Sequence, residues 1–143
     1  MVMEKSNNLD FWFESLPTIC VEKPEPLSPT ATPSFVEFAT KVYPFLEVQP
    51  FHENYYRLLQ LFAEGRIRKL MVSMPPQHGK SVGASTLLPA YMLGLNPDSR
   101  IAIASYSATL ANKFNRRVQR IIEGDEYQEL FPSTRIKCGG KPA

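Results

Sequence analysis

The sequence has little of what would place it outside a cell or in a membrane. It holds two cysteines, Cys20 and Cys138, far apart, with no CxxC spacing and no neighbouring histidine. Neither a disulfide framework nor a thiolate metal site is indicated, and both read as free thiols. No apolar run approaches the ~18 residues that a membrane span needs. The N-terminus, MVMEKSNNLDFWFESL, lacks the basic-then-apolar order of a secretory leader. These absences point to a soluble intracellular chain. With 143 residues, 43% hydrophobic and 11% aromatic, the chain has the material for one core.

Acidic residues are scarce in one region only. Between Arg57 and Arg120 there are ten basic residues against Glu64 and Asp98, a net charge of +8. Met1 to Tyr56 carries −5 and the remainder −1, so the overall +2 conceals a segregation. The central segment is the part that attracts phosphates, of a nucleotide or of a nucleic acid backbone, although a solvated surface has the same composition.

Proline is concentrated near the start. Pro17, Pro24, Pro26, Pro29 and Pro33 fall close together among Ser, Thr and Glu. They remove backbone donors and fix φ repeatedly, so residues 1–33 are expected to form an extended arm. Within it Leu9, Phe11, Trp12, Phe13 and Leu16 form an apolar cluster that suits docking, on the body of the protein or on a partner. Residues 34–143 then form the domain.

Its elements follow from periodicity. A short helix is expected from Ser34 (SFVEFATKV). Phe51, Tyr55, Leu58, Leu59 and Phe62 lie on one face of a helix over 51–63, which Gly65 stops. IRKLMVSM, 67–74, ends at two prolines and reads as a buried strand. Residues 80–94 read as a helix that Pro89 kinks or ends and that Gly94 with Asn96-Pro97 closes. RIAIASY, 100–106, reads as a second buried strand. From Ser107 to Ile122 the apolar face is Leu110, Phe114, Val118, Ile121 and Ile122, and a basic stripe of Lys113, Arg117 and Arg120 lies on another. The end suggests a short helix and a strand at TRIKC, 134–138. The alternation implies an α/β fold with a parallel sheet flanked by helices and right-handed crossovers; the phosphate loop and the resemblance given next make it a P-loop NTPase-type sheet, and an incomplete one.

Between the first strand and the next helix stands PPQHGKS. A phosphate loop, G-x-x-x-x-G-K-[ST], curls backbone N–H groups round an anion while the helix adds the positive end of its dipole. Gly79, Lys80 and Ser81 supply the last three positions, but Met74 stands where the first glycine belongs. Pro75 and Pro76 remove two donors, so the nest has to come from the N–H groups of Gln77, His78, Gly79, Lys80, Ser81 and Val82. Lys80 would then reach the β- and γ-phosphates and Ser81 would ligate Mg²⁺.

PPQHGKS, followed by LLPAYMLGLNPDSRIAIASYSATLANKFNRRVQRII and EYQELFP, resembles the N-terminal ATPase domain of the large terminase subunit of tailed bacteriophages and prophages. The resemblance runs from about His52 to Arg135 as matches in order. It implies an ATPase motor, using ATP and Mg²⁺, that packages double-stranded DNA into a procapsid in the bacterial host cytoplasm. It further implies a portal protein and a small terminase subunit as partners, a homo-oligomeric ring in the complete motor and a nuclease domain after the ATPase domain. Residue by residue, Gln77 to Ser81 look like the family's Walker A loop with Lys80 as its catalytic lysine, and His52 looks like the adenine-side residue. Tyr55 and Tyr56 follow, where a ring can stack on a base; core packing is the plain alternative for all three. Ser105, Tyr106 and Ser107 match the position of a DNA-sensing segment, and Lys113, Arg117 and Arg120 suit a phosphate track, though a charge stripe is also what a solvated helix face shows.

The departures are as specific. The loop lacks the arginine many members carry. No apolar strand ending in Asp or Glu follows residue 122 to hold Mg²⁺ and orient water, and the nuclease carboxylates are missing. A truncated ATPase segment that binds nucleotide without turning it over is the expectation. The competing readings are a helicase-like DNA translocase fragment and a non-hydrolysing nucleotide- or DNA-binding fragment.

Overall fold

Ser34 opens the first helix by a reciprocal cap. Its hydroxyl accepts the Glu37 N–H at 3.2 Å, and the Glu37 carboxylate accepts the Ser34 N–H at 2.8 Å. That closure satisfies two donors that a helix start leaves open. The computed structural model describes residues 32–46 and 48–136. Most of the arm, with its aromatic cluster and Cys20, and residues 137–143 with Cys138 lie outside the described residues.

The helices are α1 (Phe35–Val42), α2 (Pro50–Ala63), α3 (Lys80–Val82), α4 (Leu88–Leu95), α5 (Ala108–Glu123) and α6 (Asp125–Leu130), with a π-helical stretch Gly83–Leu87 joining α3 to α4. The π stretch sits just ahead of Pro89. A proline inside a helix removes one donor and its ring crowds the carbonyl four residues back. The rod widens before it, and the Leu88 N–H reaches back to the Gly83 carbonyl. Gly65, at φ 73°, ends α2 in a left-handed conformation.

The core is an all-helix junction lined by rings. Phe35 and Phe38 of α1 meet Tyr91 of α4 at centroid distances of 5.1 and 5.3 Å, and Tyr127 of α6 lies 5.2 Å from Phe131. Val118, Ile121 and Ile122 bring the apolar face of α5 to the same cluster. Each such buried side chain contributes roughly 1.5–3 kcal/mol of transfer free energy. Two of the core tyrosine hydroxyls find carbonyl partners: Tyr91 donates to the Pro33 carbonyl at 2.8 Å, and Tyr127 to the Ala90 carbonyl at 2.9 Å. The first of these ties the chain entering α1 to α4.

The parallel sheet expected from the sequence is not there. Among the described residues no strand or sheet forms; 67–74 and 100–106 run as unpaired chain, and 134–136 shows no more than an isolated bridge residue, Ile136. The P-loop NTPase-type α/β architecture is therefore corrected to a helical one. Both segments keep the period of two that suggests strands: Leu70, Val72 and Met74 face the core while Met71, 97% exposed, faces out, and Ile101 and Ile103 repeat the pattern. What they lack is a ladder. Two short segments joined through a helix have too few neighbours to hold a sheet, and their inward side chains pack half-buried against the core instead. No helix among the described residues is long and apolar enough to cross a membrane.

Candidate functional site

Residues 75–82 turn sharply from the unpaired segment into α3. Gln77 has φ 65° and Gly79 φ 75°, two left-handed residues with one between them. Gln77 is the only non-glycine residue with positive φ among the described residues, a strained conformation of the kind that persists where neighbouring contacts hold it. The exposed His78 ring braces the turn, its Nδ1 donating to the Pro76 carbonyl at 2.8 Å.

The turn leaves donors open. Among the described residues the N–H groups of Gly79, Lys80, Ser81 and Val82 donate to no protein acceptor, and Gly79, the cap of α3, has no side chain to satisfy them. These are the orphan donors of a helix start, where the dipole also favours negative charge. Lys80 and Ser81 are exposed beside them, and Lys80 makes no ion pair among the described residues. An anion with several oxygens fits this set of donors.

Helix α2 stands behind the loop. His52 places Nε2 3.2 Å from the His78 carbonyl oxygen, and the Tyr55 hydroxyl donates to the Lys80 carbonyl at 2.7 Å. Both side chains are buried, at 8% and 5% exposure. Burial pushes the Tyr55 hydroxyl up to about 12, with the neighbouring Tyr56 adding to the shift, so it stays a proton donor. Tyr56 is fully buried, its ring stacked near-parallel to His52 at 5.7 Å and against Phe35 at 5.5 Å. Its hydroxyl, like that of Thr86 in the π stretch, has no protein partner among the described residues.

His52, Tyr56, His78, Gly79, Lys80 and Ser81 thus form one neighbourhood, with Gln77 and Val82 at its two ends. The second candidate group lies elsewhere, on α5 and its entry. Ser107 uses its hydroxyl to cap α5, accepting the Leu110 N–H at 3.3 Å, while Tyr106 projects at 93% exposure beside exposed Ser105. Lys113 and Arg120 are exposed and Arg117 is half-buried, and none of the three has a salt-bridge partner among the described residues. Helix α5 packs against the π stretch that continues from the loop, so one body carries both groups. Among the described residues no three His, Cys, Asp or Glu side chains come together as a metal site. The grip of Tyr55 on the loop, and the part of Gly83 in it, are what sequence reasoning passed over. The signal was present as His52 and Tyr55 three apart on a helix, and Gly79 and Gly83 four apart after the loop.

The chain matches no protein-family model, no curated protein and no solved structure.

Proposed function

We propose that the chain binds the polyphosphate of ATP at the 77–82 turn and belongs to a DNA-packaging motor of the terminase large-subunit type, working in the bacterial cytoplasm on double-stranded DNA. The observation that carries the first part is the row of open N–H groups from Gly79 to Val82 beside an ion-pair-free Lys80. Backbone donors at a helix start with a lysine among them are the common physical solution for holding phosphate. The second part rests on the order of matches from PPQHGKS to EYQELFP and on the basic stripe of α5.

The residues fit the nucleotide's phosphates better than they fit its metal. Lys80 and the open N–H groups would hold phosphate oxygens, and the exposed Ser81 hydroxyl would contribute one ligand to Mg²⁺. Bound Mg²⁺ would neutralise charge on the phosphates. Turnover in a motor of this type also calls for an acid to hold the metal and a group to orient water. Binding and orientation of the polyphosphate are what this loop supplies by itself. Membership of such a motor further implies the portal protein and small terminase subunit as partners.

Affinity measured along the series adenosine, AMP, ADP and ATP tests the reading. A phosphate site predicts tightening with each added phosphate; equal affinity for adenosine and ATP would remove it.

A further inference from the structure

Taking the loop as the phosphate site, we infer that His52 and Tyr55 are its positioning residues: they hold two loop carbonyls against α2 and so aim the N–H groups of Gly79 and Ser81 outward. The two residues are three apart on α2 and therefore share a face. Each directs a polar atom at a carbonyl of the turn, His52 its Nε2 at His78 and Tyr55 its hydroxyl at Lys80.

The tautomer of His52 is set by the helix it stands on. The Gln49 N–H donates to His52 Nδ1 at 3.1 Å, so Nδ1 is an acceptor and the ring proton sits on Nε2. A carbonyl only accepts. The 3.2 Å contact with His78 is therefore a donation from Nε2–H. Both contacts pull a carbonyl toward α2.

Planarity of the peptide unit turns this into an effect on the opposite side. In a trans peptide the C=O of one residue and the N–H of the next point in opposite directions. Holding the His78 carbonyl toward α2 directs the Gly79 N–H away from it, and holding the Lys80 carbonyl does the same for Ser81. Those two N–H groups are among the four left open at the helix start.

The glycines make the approach possible. A Cβ on Gly79 would stand 3.4 Å from His52 Nε2 at a φ that other residues rarely adopt, and a Cβ on Gly83 would stand 2.5 Å from Tyr55 Cε1. Gly83 lies outside the phosphate-loop motif, and the Tyr55 ring occupies the space its side chain would need. His52 and Tyr55 on one element and Gly79 and Gly83 on the other thus form a matched set that orients the anion donors from behind.

The test is titration of the full 143-residue chain with inorganic tripolyphosphate, followed by calorimetry and by the amide resonances of Gly79 and Ser81. Tyr55→Phe keeps the ring against Gly83 and removes only the hydroxyl; His52→Leu removes the donor, and His52→Gln keeps an N–H donor at the same reach. We expect Tyr55→Phe and His52→Leu each to weaken tripolyphosphate about three- to tenfold, the range one hydrogen bond spans, with smaller ligand-induced shifts at both amides. His52→Gln should recover most of the loss. Wild-type affinity and wild-type amide shifts in both Tyr55→Phe and His52→Leu, while Lys80→Ala has lost binding, would overturn the positioning role and leave the phosphate site standing. Unchanged binding in Lys80→Ala would overturn the site and the positioning role with it. If His52→Leu does not fold, the Tyr55→Phe result decides alone, because that variant keeps the ring and deletes a single oxygen.

Discussion

Gly94 on α4 lies against the ring of Phe131, so close that a Cβ at position 94 would stand 2.6 Å from Phe131 Cδ2. Gly94 is helical, within Leu88–Leu95, and not a terminator. Intrinsic helix propensity therefore favours alanine at this site by about 1 kcal/mol, while packing opposes it. Overpacking a well-filled contact costs about 1–3 kcal/mol, so Gly94→Ala is expected to destabilise the protein. Urea unfolding should show a lower midpoint at unchanged slope. In a Phe131→Ala background the same substitution should become neutral or stabilising; a midpoint that rises in the wild-type background would mean the ring is not where Gly94 meets it.

Buried tyrosines predict an alkaline limit to stability. Burial raises the hydroxyls of Tyr55 and Tyr91 to about 12 from an ordinary 10.0, and raises Tyr127 as well. The folded protein then holds these protons more tightly than the unfolded chain. Their contribution is complete below the unfolded value of about 10 and is lost as pH rises from there through the folded values. The unfolding midpoint should be flat with respect to these groups at neutral pH and fall between about pH 10 and 12. Tyr91→Phe should flatten part of that fall. A midpoint insensitive to pH across that window would contradict the burial of these hydroxyls.

Lys113, Arg117 and Arg120 carry the second half of the functional reading. If they follow a DNA backbone, Arg117→Glu with Arg120→Glu should weaken binding of any duplex and reduce the slope of log affinity against log salt, by about 0.9 for each phosphate no longer neutralised. Filter binding at several salt concentrations measures both. Unchanged affinity and slope would make the stripe a solvated helix face.

Particular residues show what the sequence displayed and what it hid. Leu110, Phe114, Val118, Ile121 and Ile122 recur at helical spacing, and α5 buries the last four of them. Local periodicity carries such information because a helix satisfies its own backbone. Leu70, Val72 and Met74 alternate just as clearly, yet alternation reports only which side chains face inward. Whether the backbone finds a neighbour depends on segments far away in the chain, and among the described residues none pairs with it. In the site, Gly79-Lys80-Ser81 was legible because the motif is contiguous. The contacts of His52 with His78 and of Tyr55 with Lys80 link residues 26 and 25 positions apart; local spacing shows that His52 and Tyr55 share a helix face, but not what that face meets. Gly94 looked like a helix stop because glycine often is one; its reason is the ring of Phe131, 37 positions further on.

The central claim is that the turn at 77–82 holds polyphosphate through its open N–H groups and Lys80. Calorimetric titration of ATP into the full chain and into Lys80→Ala tests it most directly. A charge-assisted contact contributes about 1.5–3 kcal/mol, so the variant should bind ATP at least about tenfold more weakly while unfolding at the wild-type midpoint. Equal affinity in the two proteins, or no heat of binding in either, would contradict the claim.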